Sequence, residues 1–226
     1  MALPSRIGRL RPPVLCFVVG KSAVKGGDVE KVVAEAVAGG VTMVQLRDRE
    51  TPAGELAALA RRLKTVTRGK ALLIINDRVD VALAVDADGV QLPEDGLPTR
   101  VARGLIGKYA VLGRSVHDAE SALQASRDGT EFVLAGTIYK SPSKPGVKPV
   151  GPGLITDITK DSALPVLAIG GITPEKVAEV IKAGAAGVAV ISAIAGADDP
   201  KAAAEALSQA LREAWSKRAE AMGKSA

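Results

Sequence analysis

Eight short apolar runs recur along this chain at intervals of about 25 residues. They are Val14 to Val19, Val41 to Leu46, Ala71 to Ile75, Gly89 to Leu92, Ala110 to Ser115, Phe132 to Ala135, Pro165 to Ile169 and Val188 to Ile191. None is long enough for a buried helix, and each stops at a small or polar residue. Helical spacing lies between them. Val29, Val32, Val33, Ala36 and Val37 mark one face of a segment opened by Asp28 and closed by Gly39-Gly40. Further helices are predicted from Thr51 or Pro52 to Leu63, from Asp80 to Ala84, and from Ala119 to Ser126 behind an Asp118 cap. Another follows Thr173, with Pro174 in its first turn and Gly184 at its end, and a last one runs from Pro200 to Ala214. Strand and helix in alternation specify a parallel sheet with right-handed crossovers. Eight such units close it into a (β/α)8 TIM barrel of the α/β class. An open doubly wound sheet would carry Gly-x-Gly-x-x-Gly after its first strand, and none follows Val19.

Composition agrees. The chain has 226 residues, 47% of them hydrophobic but only 2% aromatic. Its core must therefore be Val, Leu, Ile and Ala, the set used by a parallel sheet covered on both faces. We expect one domain, with an N-terminal extension over 1–13 and a frayed polar tail from Ala214 or 215 to 226. The net charge of +5 is dispersed and lacks interleaved aromatics, which argues against nucleic acid and for small anionic substrates. The single cysteine, Cys16, sits in an apolar run, which suggests a core residue in a reducing cytoplasm. No run approaches a membrane span, and Met1 to Pro13 lacks the apolar centre of a signal peptide. A homodimer is compatible with this reading.

Chemistry on a (β/α)8 barrel sits at the C-terminal ends of its strands. Those ends carry Gln45, Arg47 and Arg49; Asn76 and Asp77; Glu94 and Asp95; Ser115 and His117; Thr137; Gly170 and Gly171; Ile191 and Ser192. Gln45, Arg47 and Arg49 share one face of an extended strand. An amide and two guanidinium groups make a phosphate-recognition set, unless the arginines pair outward with Asp48 and Glu50. Asp77 could hold Mg²⁺ together with substrate phosphates, or could cap the helix after it. Glu94 and Asp95 are candidate second ligands. Tyr139 to Gly153, with Ser141, Ser143 and Lys144, is a lid candidate or a solvated basic loop. His117 is a general acid or base, or a bystander at the next helix. After the last two strands, Gly170-Gly171 and Ile191-Ser192 supply the close backbone approach that a phosphate clasp needs.

These segments in this order resemble the thiamine-phosphate synthase family and its relative, the thiazole tautomerase family. The carrying stretches are Met43-Val44-Gln45-Leu46-Arg47-Asp48-Arg49, Ile75-Asn76-Asp77-Arg78, Gly113-Arg114-Ser115-Val116-His117, Gly136-Thr137 with Ser141-Pro142-Ser143-Lys144, and Ala168-Ile169-Gly170-Gly171 with Val190-Ile191-Ser192. The resemblance implies a transferase that joins hydroxymethylpyrimidine diphosphate to thiazole phosphate with Mg²⁺. By it, Gln45, Arg47, Arg49, Asn76 and Lys144 hold the diphosphate, Asp77 binds the metal, and Ser115 lies beside the pyrimidine and the leaving group. Ser141 and Ser143 donate to the pyrophosphate or to the thiazole side. Gly171, Ile191 and Ser192 grip the thiazole phosphate.

Departures from the synthase pattern are visible. Arg49 stands for a lysine, and Ser141 and Ser143 for threonines. The pattern His-Leu-Gly-Gln-Glu/Asp-Asp is replaced by Gln91-Leu92-Pro93-Glu94-Asp95-Gly96. Without a gap, the second metal aspartate falls on Gly96, and Asp95 replaces it only if the loop shifts by one residue. Gln91-Leu92-Pro93 and Ser115-Val116-His117 look like the tautomerase, which moves protons with a histidine and needs no metal. The remaining alternatives are a non-catalytic phosphate-ligand binder on the same barrel and another phosphate-gripping barrel enzyme, from indole or pyrimidine metabolism.

Overall fold

The computed structural model describes residues 10–24, 26–141, 143 and 146–223. Eight strands follow one another in chain order: β1 Val14–Val19, β2 Met43–Leu46, β3 Leu72–Asn76, β4 Gly89–Leu92, β5 Val111–Val116, β6 Phe132–Ala135, β7 Val166–Ile169 and β8 Gly187–Val190. Each pairs in parallel with the next, and β8 returns to β1, closing the barrel. The helices are α1 Val29–Ala38, α2 Ala53–Thr67, α3 Val79–Ala84, α4 Thr99–Ile106, α5 Ala119–Arg127, α6 Gly153–Asp161, α7 Pro174–Lys182, α8 Ser192–Ala195 and α9 Pro200–Gly223.

Period two along the strands divides the core in two. Outward residues such as Leu15, Phe17, Val44, Leu73, Ile75 and Val90 pack under the helices. Inward residues, among them Val14, Cys16, Val18, Met43, Ile74, Phe132, Leu134 and Leu167, fill the barrel. Cys16 is fully buried there, and burial pushes its thiol up to about 12, so it stays protonated and acts as a small apolar filler.

Two helices were not marked by the sequence. α4 carries Val101, Ala102, Leu105 and Ile106 on one arc and Arg100 and Arg103 on the other, but only Ala102 and Ile106 face the core, while Val101 and Leu105 are half exposed. It spans only about two turns, too few for the repeat to stand out. In α6 the β-branched Ile155, Thr156, Ile158 and Thr159 read as strand-like, yet Ile155 and Ile158 are both buried on one helix face.

The expectation of a frayed tail is corrected: α9 continues to Gly223. Trp215 packs against the outer core. Arg218 donates from Nη1 to Ala185 O at 2.9 Å and lies over the Trp215 ring at 5.2 Å. These contacts hold the extra turns. Residues 1–9 of the expected extension lie outside the described residues. No described helix is long and apolar enough to cross a membrane.

Candidate active site at the strand C-terminal ends

The inward row of side chains changes character toward the top of β2 to β5. Above Met43 on β2 comes Gln45, and above Ile74 on β3 comes Asn76. Gln91 is at the matching height on β4, and Ser115 lies near the end of β5. All four meet. Gln45 Nε2 donates to Asn76 Oδ1 at 3.0 Å and to Gln91 Oε1 at 3.3 Å. Gln91 Nε2 donates to Ser115 Oγ at 3.0 Å. Gln91 is the site residue that the sequence reading did not select. Its signal was there, a polar residue on the inward period of an apolar strand, but its partners lie 24 and 46 residues away.

These side chains line a cavity of about 610 Å³ together with Arg47, Arg49, Glu94, Asp95, His117, Ser143 and Ile191. Arg47 and Arg49 follow Gln45 at two-residue spacing, as the extended chain dictates. Neither pairs with a carboxylate among the described residues. Burial and the neighbouring Arg49 charge hold the Arg47 guanidinium below its ordinary value, so an anion between the two relieves both. The outward pairing with Asp48 is absent. Asp48 accepts instead from the N–H groups of Lys21 and Thr51, at 3.2 and 3.3 Å. Burial alone would push its carboxyl up, but those backbone donors hold it below the usual carboxylate range.

Asp77 is one of two non-glycine residues with positive φ among those described, at 64°. Aspartate tolerates this left-handed conformation better than most residues. It lets the Asp77 N–H donate to Gln91 O at 2.9 Å across the strand ends. Asp77 does not cap α3, whose N-cap is Arg78 with no side-chain bond. Its carboxylate opens into a pocket of about 270 Å³ with Asp48, Arg49, Asn76, Arg78 and Asp95. Arg49, Asn76 and Asp95 also line the main cavity, so the two pockets share a wall.

No group of three or more His, Cys, Asp or Glu side chains forms a metal cage among the described residues. Two hard carboxylates beside a cationic cradle do suit Mg²⁺, which keeps waters and takes further oxygens from substrate phosphates. A methyl group on Gly96 would lie 2.9 Å from Asp77 Oδ1 and 2.8 Å from Pro93 Cδ. Position 96 therefore abuts Asp77, while Asp95 reaches the same pocket from one residue earlier.

His117 Nδ1 stands 2.7 Å from Glu94 Oε2 at the mouth of the cavity. It does not serve α5, because Asp118 provides that cap by accepting from Ser121 N at 2.7 Å.

On the far side, Thr137, Ser141, Ser143, Gly170, Gly171, Ile191 and Ser192 line a cleft of about 70 Å³. It shares Ser143, Ile169 and Ile191 with the main cavity. Glycine is required at Gly170 and Gly171, with φ of 103° and 63°. A Cβ on Gly170 would sit 2.5 Å from Thr137 Cγ2, and one on Gly171 would sit 2.3 Å from Lys140 O. Ser192 opens α8, whose first turn leaves backbone N–H groups without intrahelical partners. Lys176 on α7 donates to Gly171 O at 2.9 Å and lies over the Tyr139 ring at 4.7 Å. Lys144 lies outside the described residues. Every other candidate from the sequence borders one of these three adjoining spaces. A separate cavity of about 460 Å³ at the opposite end of the barrel, near Leu10, Arg11, Arg68 and Lys70, contains none of them.

A family model described as thiamine monophosphate synthase matches residues 15–194. The chain is 48% identical to a thiamine-phosphate synthase from Roseiflexus castenholzii over 178 residues, covering 78% of each protein. It is 42% identical to a thiamine-phosphate synthase from Natronomonas pharaonis, covering 86% of this chain and 93% of that one. Among solved structures, a thiamine phosphate pyrophosphorylase from Pyrococcus furiosus superposes with a TM-score of 0.82 at 35% identity, covering 92% of this chain and 98% of that one.

Proposed function

The chain belongs to the thiamine monophosphate synthase family, and on that premise we propose that it is a Mg²⁺-dependent transferase that joins hydroxymethylpyrimidine diphosphate to thiazole phosphate and releases pyrophosphate. The observation that carries this reading is the unpaired Arg47 and Arg49, which face Asp77 and Asp95 across connected pockets beside a glycine-lined cleft. Two guanidinium groups suit a diphosphate, and the cleft suits a monophosphate. Asp77 and Asp95 would hold Mg²⁺, which supplies charge neutralisation to the departing pyrophosphate.

The chain's own groups do the rest. Gln45 spends both amide N–H groups on Asn76 and Gln91, so it is not free to donate to the diphosphate that the resemblance implied, and with Asn76 and Ser115 it orients the pyrimidine instead. Arg47, Arg49 and the loop residues Ser141, Ser143 and Lys144 stabilise the charge that develops as the carbon–oxygen bond breaks. An aminopyrimidine can expel pyrophosphate to leave a stabilised cation, so shielding from water matters. Leu134, Ile169 and Ile191 supply that apolar wall. The thiazole nitrogen then attacks from the side where Gly170, Gly171 and Ser192 fix its phosphate. The test is pyrophosphate release from both substrates with and without Mg²⁺. Wild type should turn over only with the metal, Asp77→Ala should lose activity, and no release at any Mg²⁺ level would contradict the reading.

A second reading, a metal-free thiazole tautomerase, is favoured by the His117–Glu94 contact at the cavity mouth. There His117→Ala should abolish isomerisation, whereas pyrophosphate release by the synthase should survive it. We place the reaction in the cytoplasm, where phosphorylated substrates are made and where a free Cys16 stays reduced. We also propose a homodimer through α4. Val101 and Leu105 lie four residues apart on it at 50 and 54% exposure, Leu97 just before the helix is 41% exposed, and Leu83 on the neighbouring α3 is 52% exposed. Exposed large apolar side chains concentrated in one part of the chain suit an interaction surface. Val101→Glu should convert the dimer to a monomer in sedimentation, and a wild-type monomer would contradict this.

A further inference from the structure

Gln91 lies between Gln45 and Ser115, two of the side chains assigned to the pyrimidine, and the reaction as described does not use it. It is 1% exposed, so it serves neither solvent nor surface. Its Oε1 accepts from Gln45, and its Nε2 donates to Ser115 Oγ. Both N–H bonds of the Gln45 amide are thereby committed, one to Gln91 and one to Asn76. Gln45 Oε1 is left buried and without a protein partner, in a residue only 2% exposed on the cavity wall. Buried polar atoms without partners are rare, and one bordering a binding cavity points to a donor on the ligand. Ser115 is in the reverse position. Its oxygen accepts from Gln91, so its own O–H is free to donate into the cavity.

We propose that Gln91 is a positioning residue that sets the hydrogen-bond polarity of the pyrimidine half of the site. It presents Gln45 as an acceptor and Ser115 as a donor toward the pyrimidine diphosphate. The amide does this because it has one acceptor end and one donor end, held between strands β2 and β5. A side chain that only accepts would draw the Ser115 proton away from the substrate. One that offers neither would leave Ser115 and Gln45 free to rotate. An imidazole also offers one acceptor and one donor, so a histidine can substitute.

This inference rests on the synthase reading, and the two fail differently. If wild type releases no pyrophosphate, the reading fails. If wild type is active, a double-mutant cycle on kcat tests Gln91 alone. Gln91→Leu should lower kcat about 30-fold in the wild-type background but less than about 3-fold in a Ser115→Ala background, because it acts through the serine. KM for thiazole phosphate should stay within about 2-fold, since that ligand binds on the other side of the barrel. Gln91→His should keep kcat within about 3-fold of wild type. Fully multiplicative effects of the two substitutions, or equal losses in Gln91→Leu and Gln91→His, would overturn the proposal. Should Gln91→Leu not fold, Gln91→His and Gln91→Met provide the same contrast.

Discussion

The two arcs of the barrel mouth are built by different means. From β2 to β5 the inward row ends in polar side chains: Gln45, Asn76, Gln91 and Ser115, with Arg47, Arg49 and Asp77 just beyond. From β6 to β8 the inward row stays apolar to its tip through Leu134, Ile169 and Ile191, and polarity comes from the backbone at Gly170, Gly171 and Ser192. A side-chain cradle can carry full charges and bidentate geometry, which a diphosphate requires. A backbone clasp carries only partial charges, but it is rigid and small, which suits a monophosphate. In the proposed reaction the apolar wall beside the clasp would also keep water from the reacting carbon. The difference predicts that substitutions in the two arcs will affect different substrates and that side-chain deletions will matter in only one.

Arg47→Ala should have the largest effect. It removes an unpaired guanidinium, so kcat/KM for the pyrimidine diphosphate should fall about 10³-fold with KM for thiazole phosphate little changed. Gly171→Ala should act on the opposite arc. The added Cβ collides with Lys140 O at a positive φ, so KM for thiazole phosphate should rise about 10²-fold while the pyrimidine diphosphate still binds in calorimetry. Ser192→Ala is the sharpening case, because the proposed clasp would use the N–H and not the hydroxyl. Its kcat/KM should stay within about 3-fold of wild type, and a large loss would break the comparison.

The smallest effect concerns the turn that carries the arginines. Asp48 is held below the usual carboxylate range in the folded chain, so its contribution is present above its unfolded value of about 3.9 and is lost as pH falls through the folded value. Asp48→Asn should therefore lower Tm by about 2 °C at pH 7, with the difference closing below about pH 4 in thermal scans. A difference independent of pH would mean that the charge has no role.

Much of the fold was legible because the strands of a closed parallel barrel are apolar on both faces and bounded by glycines and polar ends. All eight runs are strands, with ends moved by one or two residues. The helices were legible where the apolar repeat ran long enough to stand out; α4 was missed because it spans only about two turns, and α6 because its β-branched residues read as strand-like. The Gln45, Arg47 and Arg49 face could be read from period two alone. The amide network could not, because Gln91 meets Ser115 only after β4 and β5 settle into register, with Gln91 beside Gly113. The role of Gly96 was equally hidden until Asp77 was seen against it. The tail beyond Ala214 looked polar because Trp215 and Arg218 anchor it with only a few contacts.

The most direct test of a mouth divided between two phosphate-binding arcs is pyrophosphate release with Mg²⁺, titrating each substrate separately in wild type, Arg47→Ala and Gly171→Ala. The account predicts activity that requires both substrates, a defect confined to the pyrimidine diphosphate in the first variant, and a defect confined to thiazole phosphate in the second. Equal defects toward both substrates in each variant would contradict it.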